Sequence, residues 1–198
     1  MENKNKIILD LCGGTGAWSR PYKEAGYDVR VITLPNYDVR DYIPPKNVYG
    51  VLAAPPCHHF SVMRCNTAKT KRNLTEAMDI VRGCLNIIWL CQYGEKKLNF
   101  WALENPSSGM IIRFIGKPFF EFNPWDFGDR ASKKTGVWGY FNIPQKNPIP
   151  LTEEEKEYQR KNHIHRFPSA KEYPGISRRD RRAITPAGFA NAFFKANP

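Results

Sequence analysis

Ile7-Ile8-Leu9-Asp10-Leu11-Cys12-Gly13-Gly14-Thr15-Gly16 is the stretch that decides how this chain folds. The apolar run from Ile7 to Leu11 reads as a buried strand, and the glycines after it mark a tight turn into the amphipathic stretch Ala17 to Ala25. Gly26 ends that helix, and Tyr27-Asp28-Val29-Arg30-Val31-Ile32 alternates as a strand does. From Asn73 onward, apolar residues at 77, 80, 81, 84, 85, 88 and 91 recur at helical spacing, and Gly94 closes that segment before the apolar Phe100-Trp101-Ala102-Leu103. Strands alternating with helices predict an α/β fold, a mostly parallel sheet with helices on both faces.

A glycine-rich turn between strand and helix lets a ligand approach the backbone, while the helix presents free N–H groups. This loop lacks the Gly-Lys-Thr ending of a triphosphate cradle, so a nucleoside cofactor without a triphosphate fits it better. A second apolar run, Val51-Leu52-Ala53-Ala54, leads into Pro55-Pro56-Cys57-His58-His59-Phe60-Ser61. Prolines fix φ and disfavour helix in the residue before them, so Pro55-Pro56 ends a strand and gives Cys57 a defined exit direction. A cysteine by itself is more often an inert buried thiol. The prolines before Cys57 and the polar, basic residues after it favour a nucleophile, because basic neighbours raise the thiolate fraction. Glu104-Asn105-Pro106 follows Phe100 to Leu103 by the same grammar. Carboxyl ends of parallel strands collect reacting groups, so the thiol and the acid are expected over one pocket.

A length of 198 residues suffices for one domain with its own core. The five cysteines are odd in number, and reduced thiols are the simpler reading. The opening Met1 to Lys6 has no long apolar stretch after it, so neither a signal peptide nor a membrane span is expected and the protein reads as cytoplasmic. Thirty Lys and Arg against nineteen Asp and Glu give a net charge of +11. The excess is clustered at Arg64, Lys69, Lys71 and Arg72, at Lys133 and Lys134, and at Arg178, Arg179, Arg181 and Arg182, which favours a polyanionic substrate. His58, His59, His163 and His165 form no CxxC-like or HxxxH pair, so no metal is assigned. After about residue 117, Trp125 to Asp129 and Gly136 to Phe141 are expected to carry the last strand or hairpin. Thr152 caps a charged helix to Lys161 with Glu155 three residues on, and Thr185 is the expected N-cap of Ala187 to Ala196 with Pro186 at the first helical position.

Asp10-Leu11-Cys12-Gly13-Gly14-Thr15-Gly16, Pro55-Pro56-Cys57 with Phe60-Ser61, and Glu104-Asn105-Pro106, in that order and spacing, resemble the cytosine-5 DNA methyltransferase family in its short phage-type form. The resemblance implies a Rossmann-like fold that binds S-adenosylmethionine, with Asp10, Leu11, Gly13, Gly14, Gly16, Asp38 and Pro55 toward the cofactor. It implies Cys57 as the nucleophile and Glu104 as the acid on the cytosine ring. Pro56, Ser61, Arg64, Asn105, Pro106, Lys134 and Arg182 then lie toward substrate. Residues 1–140 become the catalytic core, 141–177 a reduced target-recognition-like insert, and 178–198 a C-terminal helix returning to the core.

The chain departs from the family pattern in several places. Ile32-Thr33-Leu34 stands where an acid usually holds the cofactor ribose, and Gly188 stands where the ninth motif carries glutamate. No tenth motif follows, and the recognition region is a small fraction of the usual length. Three readings follow: a DNA methyltransferase, the same chemistry on RNA, or a nucleic-acid-binding relative that has lost the cofactor. The location is the host cytoplasm if the chain is phage-encoded, and so short a recognition region points to a partner subunit or homo-oligomer.

Overall fold

The computed structural model describes residues 2–61, 71–129, 133–162, 174–177 and 181–198. Arg64, Cys65, Lys69, His163, His165, Arg178 and Arg179 lie outside these. The glycine turn does join a strand to a helix, β1 (Ile7–Leu11) to α1 (Arg20–Glu24), and β2 (Asp28–Ile32) returns parallel to β1. Next come β3 (Val48–Ala53), α2 (Leu74–Gln92), β4 (Phe100–Pro106), α3 (Ile112–Ile115), β5 (Phe120–Phe122), β6 (Thr135–Tyr140), α4 (Glu153–Asn162) and α5 (Ala187–Ala196).

The strands form one sheet in the order β2-β1-β3-β4-β6-β5. β1 to β4 are parallel, and β6 is inserted antiparallel between β4 and β5. Chain order reverses between β1 and β3, so the topological switch point lies where the glycine turn and the Pro55-Pro56 exit leave neighbouring strands. This is the expected Rossmann-like α/β fold.

Strand alternation feeds two cores, one on each face. Leu9, Leu11, Val51, Ala53 and Leu103 pack with Val81, Cys84, Ile87, Ile88 and Cys91 of α2. Ile8, Leu52, Phe100 and Ala102 pack on the other face with Trp18 and Tyr22 of the α1 region and Phe189 and Phe193 of α5. Each Leu, Ile, Val or Phe side chain among them, once removed from water, contributes roughly 1.5–3 kcal/mol. Asn73 caps α2 by accepting from the Glu76 amide at 3.1 Å, and Thr152 and Glu155 form a reciprocal capping box at the start of α4.

Several local expectations change. Trp125 to Asp129 lies in a 3₁₀ turn over Pro124–Phe127 rather than in a strand, because Asn123 and Asp126 cap each other's backbone there. β4 does not stop at Leu103: it runs on through Glu104, Asn105 and Pro106, which pair with Val137, Gly136 and Thr135 of β6. Thr185 does not cap α5. Pro186 takes the N-cap position in an extended conformation, and the Gly188 amide donates instead to Asp129 Oδ2 at 3.1 Å.

Gly188 is required by that contact. A Cβ there would sit 2.0 Å from the Phe127 carbonyl oxygen and 2.8 Å from Asp129 Oδ2. Gly188→Ala is therefore expected to lose about 2–3 kcal/mol of stability in urea unfolding, the scale of an overpacked contact. A loss under about 0.5 kcal/mol, the range of a neutral surface change, would contradict the packing.

Candidate active site

Three strand ends meet at the switch point. At the first, β1 delivers Asp10, fully buried, with Ser19 Oγ donating to its Oδ2 at 2.6 Å. Its other oxygen, Oδ1, is buried with no protein partner. Desolvation pushes the carboxyl up to about 6, while the Ser19 hydrogen bonds pull the other way. Gly13 passes directly over this group: a Cβ at residue 13 would lie 2.4 Å from Asp10 Cγ, so no larger residue fits. Cys12, Gly14 and Gly16 all have positive φ, and Gly14 is exposed with open space where a side chain would be. Leu11 is wholly buried among α2 residues, so only its backbone faces the loop. A backbone that can be closely approached, above a buried carboxylate oxygen lacking a partner, fits a nucleoside cofactor that carries positive charge.

The end of β2 is less provided for. Thr33 turns the chain, its carbonyl accepting from the Tyr37 amide at 3.0 Å. Asp38 is already engaged: the Arg40 amide donates to it at 2.9 Å and the Arg40 guanidinium grips both oxygens, holding its carboxyl below the usual range. Val39 packs under α2, where a Cβ on Gly83 would come within 2.9 Å of its carbonyl.

At the second strand end, Pro55 is buried and Pro56 exposed, and Cys57 is half-buried at the head of a turn. The amides of Phe60 and Ser61 both donate to the Cys57 carbonyl, at 3.0 and 2.9 Å. At the third, Glu104 is half-buried, and Asn105 is buried at 1% exposure. Asn105 Nδ2 donates to the Pro55 carbonyl at 2.9 Å, tying β4 to the loop that carries the thiol. Asn105 thus acts on the cysteine loop from inside the protein, while Pro106 stays half-buried and Ser61 half-buried at the far side of the turn.

The fold does bring the thiol and the acid together. Cys57 lies within electrostatic reach of Glu104, Lys133 and Arg182. The expectation that basic neighbours leave this thiol easily ionised is corrected here. Burial pushes Cys57 up, Glu104 adds to that, and the charges of Lys133 and Arg182 offset it only in part. Among the described residues, the cations that reach the thiol come from distant sequence, Arg64 and Lys69 lying outside that set. Lys134, the expected substrate contact, pairs with Glu121 of β5 at 3.0 Å, and its neighbour Lys133 is the one whose charge reaches the thiol. Arg182 is exposed at the same rim, while Arg181 donates to the Ile176 carbonyl.

Lys133 was hard to single out from sequence because the signal is a register. Thr135 pairs with Pro106, so the residues just before β6 fall beside the end of β4.

No protein-family model and no curated protein matches this sequence. No helix among the described residues is long and apolar enough to cross a membrane. The chain is similar to the crystal structure of the S. pombe Dnmt2 methyltransferase, with a TM-score of 0.40 and 10% identity over 87% of this chain and 60% of that one. It thus spans less than two thirds of that protein, and the Rossmann-like fold described above rests on strand order and direction.

Proposed function

We propose that this chain transfers a methyl group from S-adenosylmethionine to carbon 5 of cytosine in DNA, through a covalent bond to Cys57. The observation that carries the reading is the meeting of Cys57 and Glu104 at the ends of adjacent parallel strands, beside a glycine turn over a buried carboxylate. Residues 1–140 serve as the catalytic core, 141–177 as a reduced recognition insert, and 178–198 as the returning helix. So short an insert favours a partner subunit or second copy in target selection.

Cytosine carbon 5 is a poor nucleophile. The Cys57 thiol loses its proton to water and its sulfur bonds to carbon 6, opening the carbon 5–carbon 6 double bond into an enamine whose carbon 5 can attack. Glu104, on the neighbouring strand, hydrogen-bonds the ring nitrogen and exocyclic amine where charge develops. The loop at Gly13, Gly14 and Gly16, with Asp10 beneath, would hold S-adenosylmethionine, which when bound would supply the methyl group from its sulfonium. Loss of the carbon 5 proton to a base or water then expels Cys57 and restores the ring. Lys133 and Arg182 stabilise the thiolate during addition and elimination and attract the phosphate backbone. A stacked base is out of reach, so the nucleotide must flip out of the helix.

The test is transfer of labelled methyl to mixed-sequence DNA and RNA in parallel. Label on DNA cytosine supports the proposal, and label confined to RNA changes the polymer. No label despite salt-dependent binding favours a non-catalytic binding module. Glu104→Gln is expected to slow transfer by roughly 10²-fold or more, the scale of a lost general acid. Calorimetry should find cofactor affinity nearly unchanged, and full activity in this variant would remove Glu104 from the chemistry.

A further inference from the structure

Arg72 belongs by sequence to a basic cluster suited to phosphate, yet its guanidinium faces inward. Nη1 donates to the His59 carbonyl and Nη2 to the Ser61 carbonyl at 3.2 Å. We propose that Arg72 is a positioning residue for Cys57, stapling the turn that carries the thiol. This rests on the reading of Cys57 as the reacting group.

The hydrogen bonding of the turn makes the case. Its inner side is closed by the Phe60 and Ser61 amides on the Cys57 carbonyl. The carbonyls of residues 59, 60 and 61 lie outside any strand and need donors from elsewhere. Met110 supplies one, its amide donating to the Phe60 carbonyl at 2.8 Å. Arg72 supplies the other two from one planar group. It also stands immediately before Asn73, the N-cap of α2, whose own amide donates to His59 Nδ1 at 3.0 Å. A helix anchored in the core therefore holds the fork, and the fork holds the turn. Two parallel N–H donors at a fixed spacing are a property of guanidinium that an ammonium does not share.

A staple and a phosphate contact predict different results. The experiment compares the full chain with Arg72→Ala and Arg72→Lys, following carboxamidomethylation of Cys57 by iodoacetamide with peptide-resolved mass spectrometry. Releasing the turn exposes a thiol whose burial suppresses ionisation, so Arg72→Ala is expected to raise the Cys57 rate at neutral pH by roughly tenfold, equivalent to one pKa unit. Millimolar guanidinium ion should reverse the increase, and Arg72→Lys should restore little. Cys91, buried in α2, should stay slow in all forms, which separates local release from unfolding.

The salt dependence of affinity for a mixed-sequence DNA duplex gives the opposing readout. Loss of a phosphate contact lowers the slope of log affinity against log salt by about 0.9, whereas loss of a staple leaves it unchanged. An unchanged Cys57 rate overturns the proposal, and a fallen slope beside it makes Arg72 a phosphate contact. If Arg72→Ala does not fold, Arg72→Lys decides: a Cys57 rate equal to the parent's overturns the proposal. Alkylation needs no methyl transfer, so a chain that transfers none would refute the proposed function while still deciding the role of Arg72.

Discussion

Cys57→Ser is expected to lower methyl transfer by roughly 10⁴-fold or more, the scale on which enzymes lose activity when their nucleophile is removed. Serine matches the shape of cysteine, and the turn that holds residue 57 is fixed by backbone hydrogen bonds, so the variant should fold with a nearly unchanged urea midpoint. Lys133 and Arg182 remain, so affinity for a mixed-sequence duplex should also persist. What disappears is the reacting atom. A thiol is intrinsically nucleophilic and far more acidic than a hydroxyl, which needs a strong base beside it. Labelled methyl incorporation beside the parent chain measures the effect. Retained incorporation would show that Cys57 is a packing residue and would remove the covalent step.

Much of this site could be read along the chain because its parts are local. The run Ile7 to Leu11 followed by glycines specifies strand and turn within ten residues, and Pro55-Pro56 specifies the exit before Cys57. Helix α2 announced itself by its apolar period, and the structure adds the Asn73 cap at its start. The features that escaped depend on partners far away in sequence. β5 has only three residues, too few to show alternation, and is stabilised by pairing with β6. The continuation of β4 past Leu103 also needs β6 as its partner. The cap on α5 comes from Asp129, 59 positions earlier than Gly188, so no local rule could find it.

Charge was the least legible property. A lysine or arginine near a cysteine in sequence suggests a lowered pKa, but the field at the thiol depends on which cations the fold aims at it and on how much water it loses. Arg72 lies close in sequence and grips carbonyls, whereas Lys133 and Arg182 lie far away and reach the sulfur. Burial outweighs both, so the sign of the shift is set by packing, which a one-dimensional reading weighs poorly.

Asp10→Asn is expected to stabilise the chain at pH 7.5 and to do little near pH 3.5. Asp10 has a folded pKa of about 6 against an ordinary 3.8, so the folded state holds its proton more tightly than the unfolded state. Between those two values the folded chain carries the extra proton, and stability falls as pH rises through the window. Above it the penalty is constant, at about 3 kcal/mol from the size of the shift. Asparagine removes the charge and can still accept from Ser19, whose stronger bond to the carboxylate is already contained in the shift. The net gain at pH 7.5 should therefore be about 3 kcal/mol in urea unfolding. An equal effect at both pH values, or a loss at pH 7.5, would mean that the Asp10 charge is compensated within the protein. The same residue tests the cofactor assignment. A sulfonium ligand bound above the buried carboxylate offsets its desolvation, so saturating S-adenosylmethionine should raise the unfolding midpoint of the parent chain more than that of Asp10→Asn. Equal shifts would place the cofactor's positive charge away from Asp10.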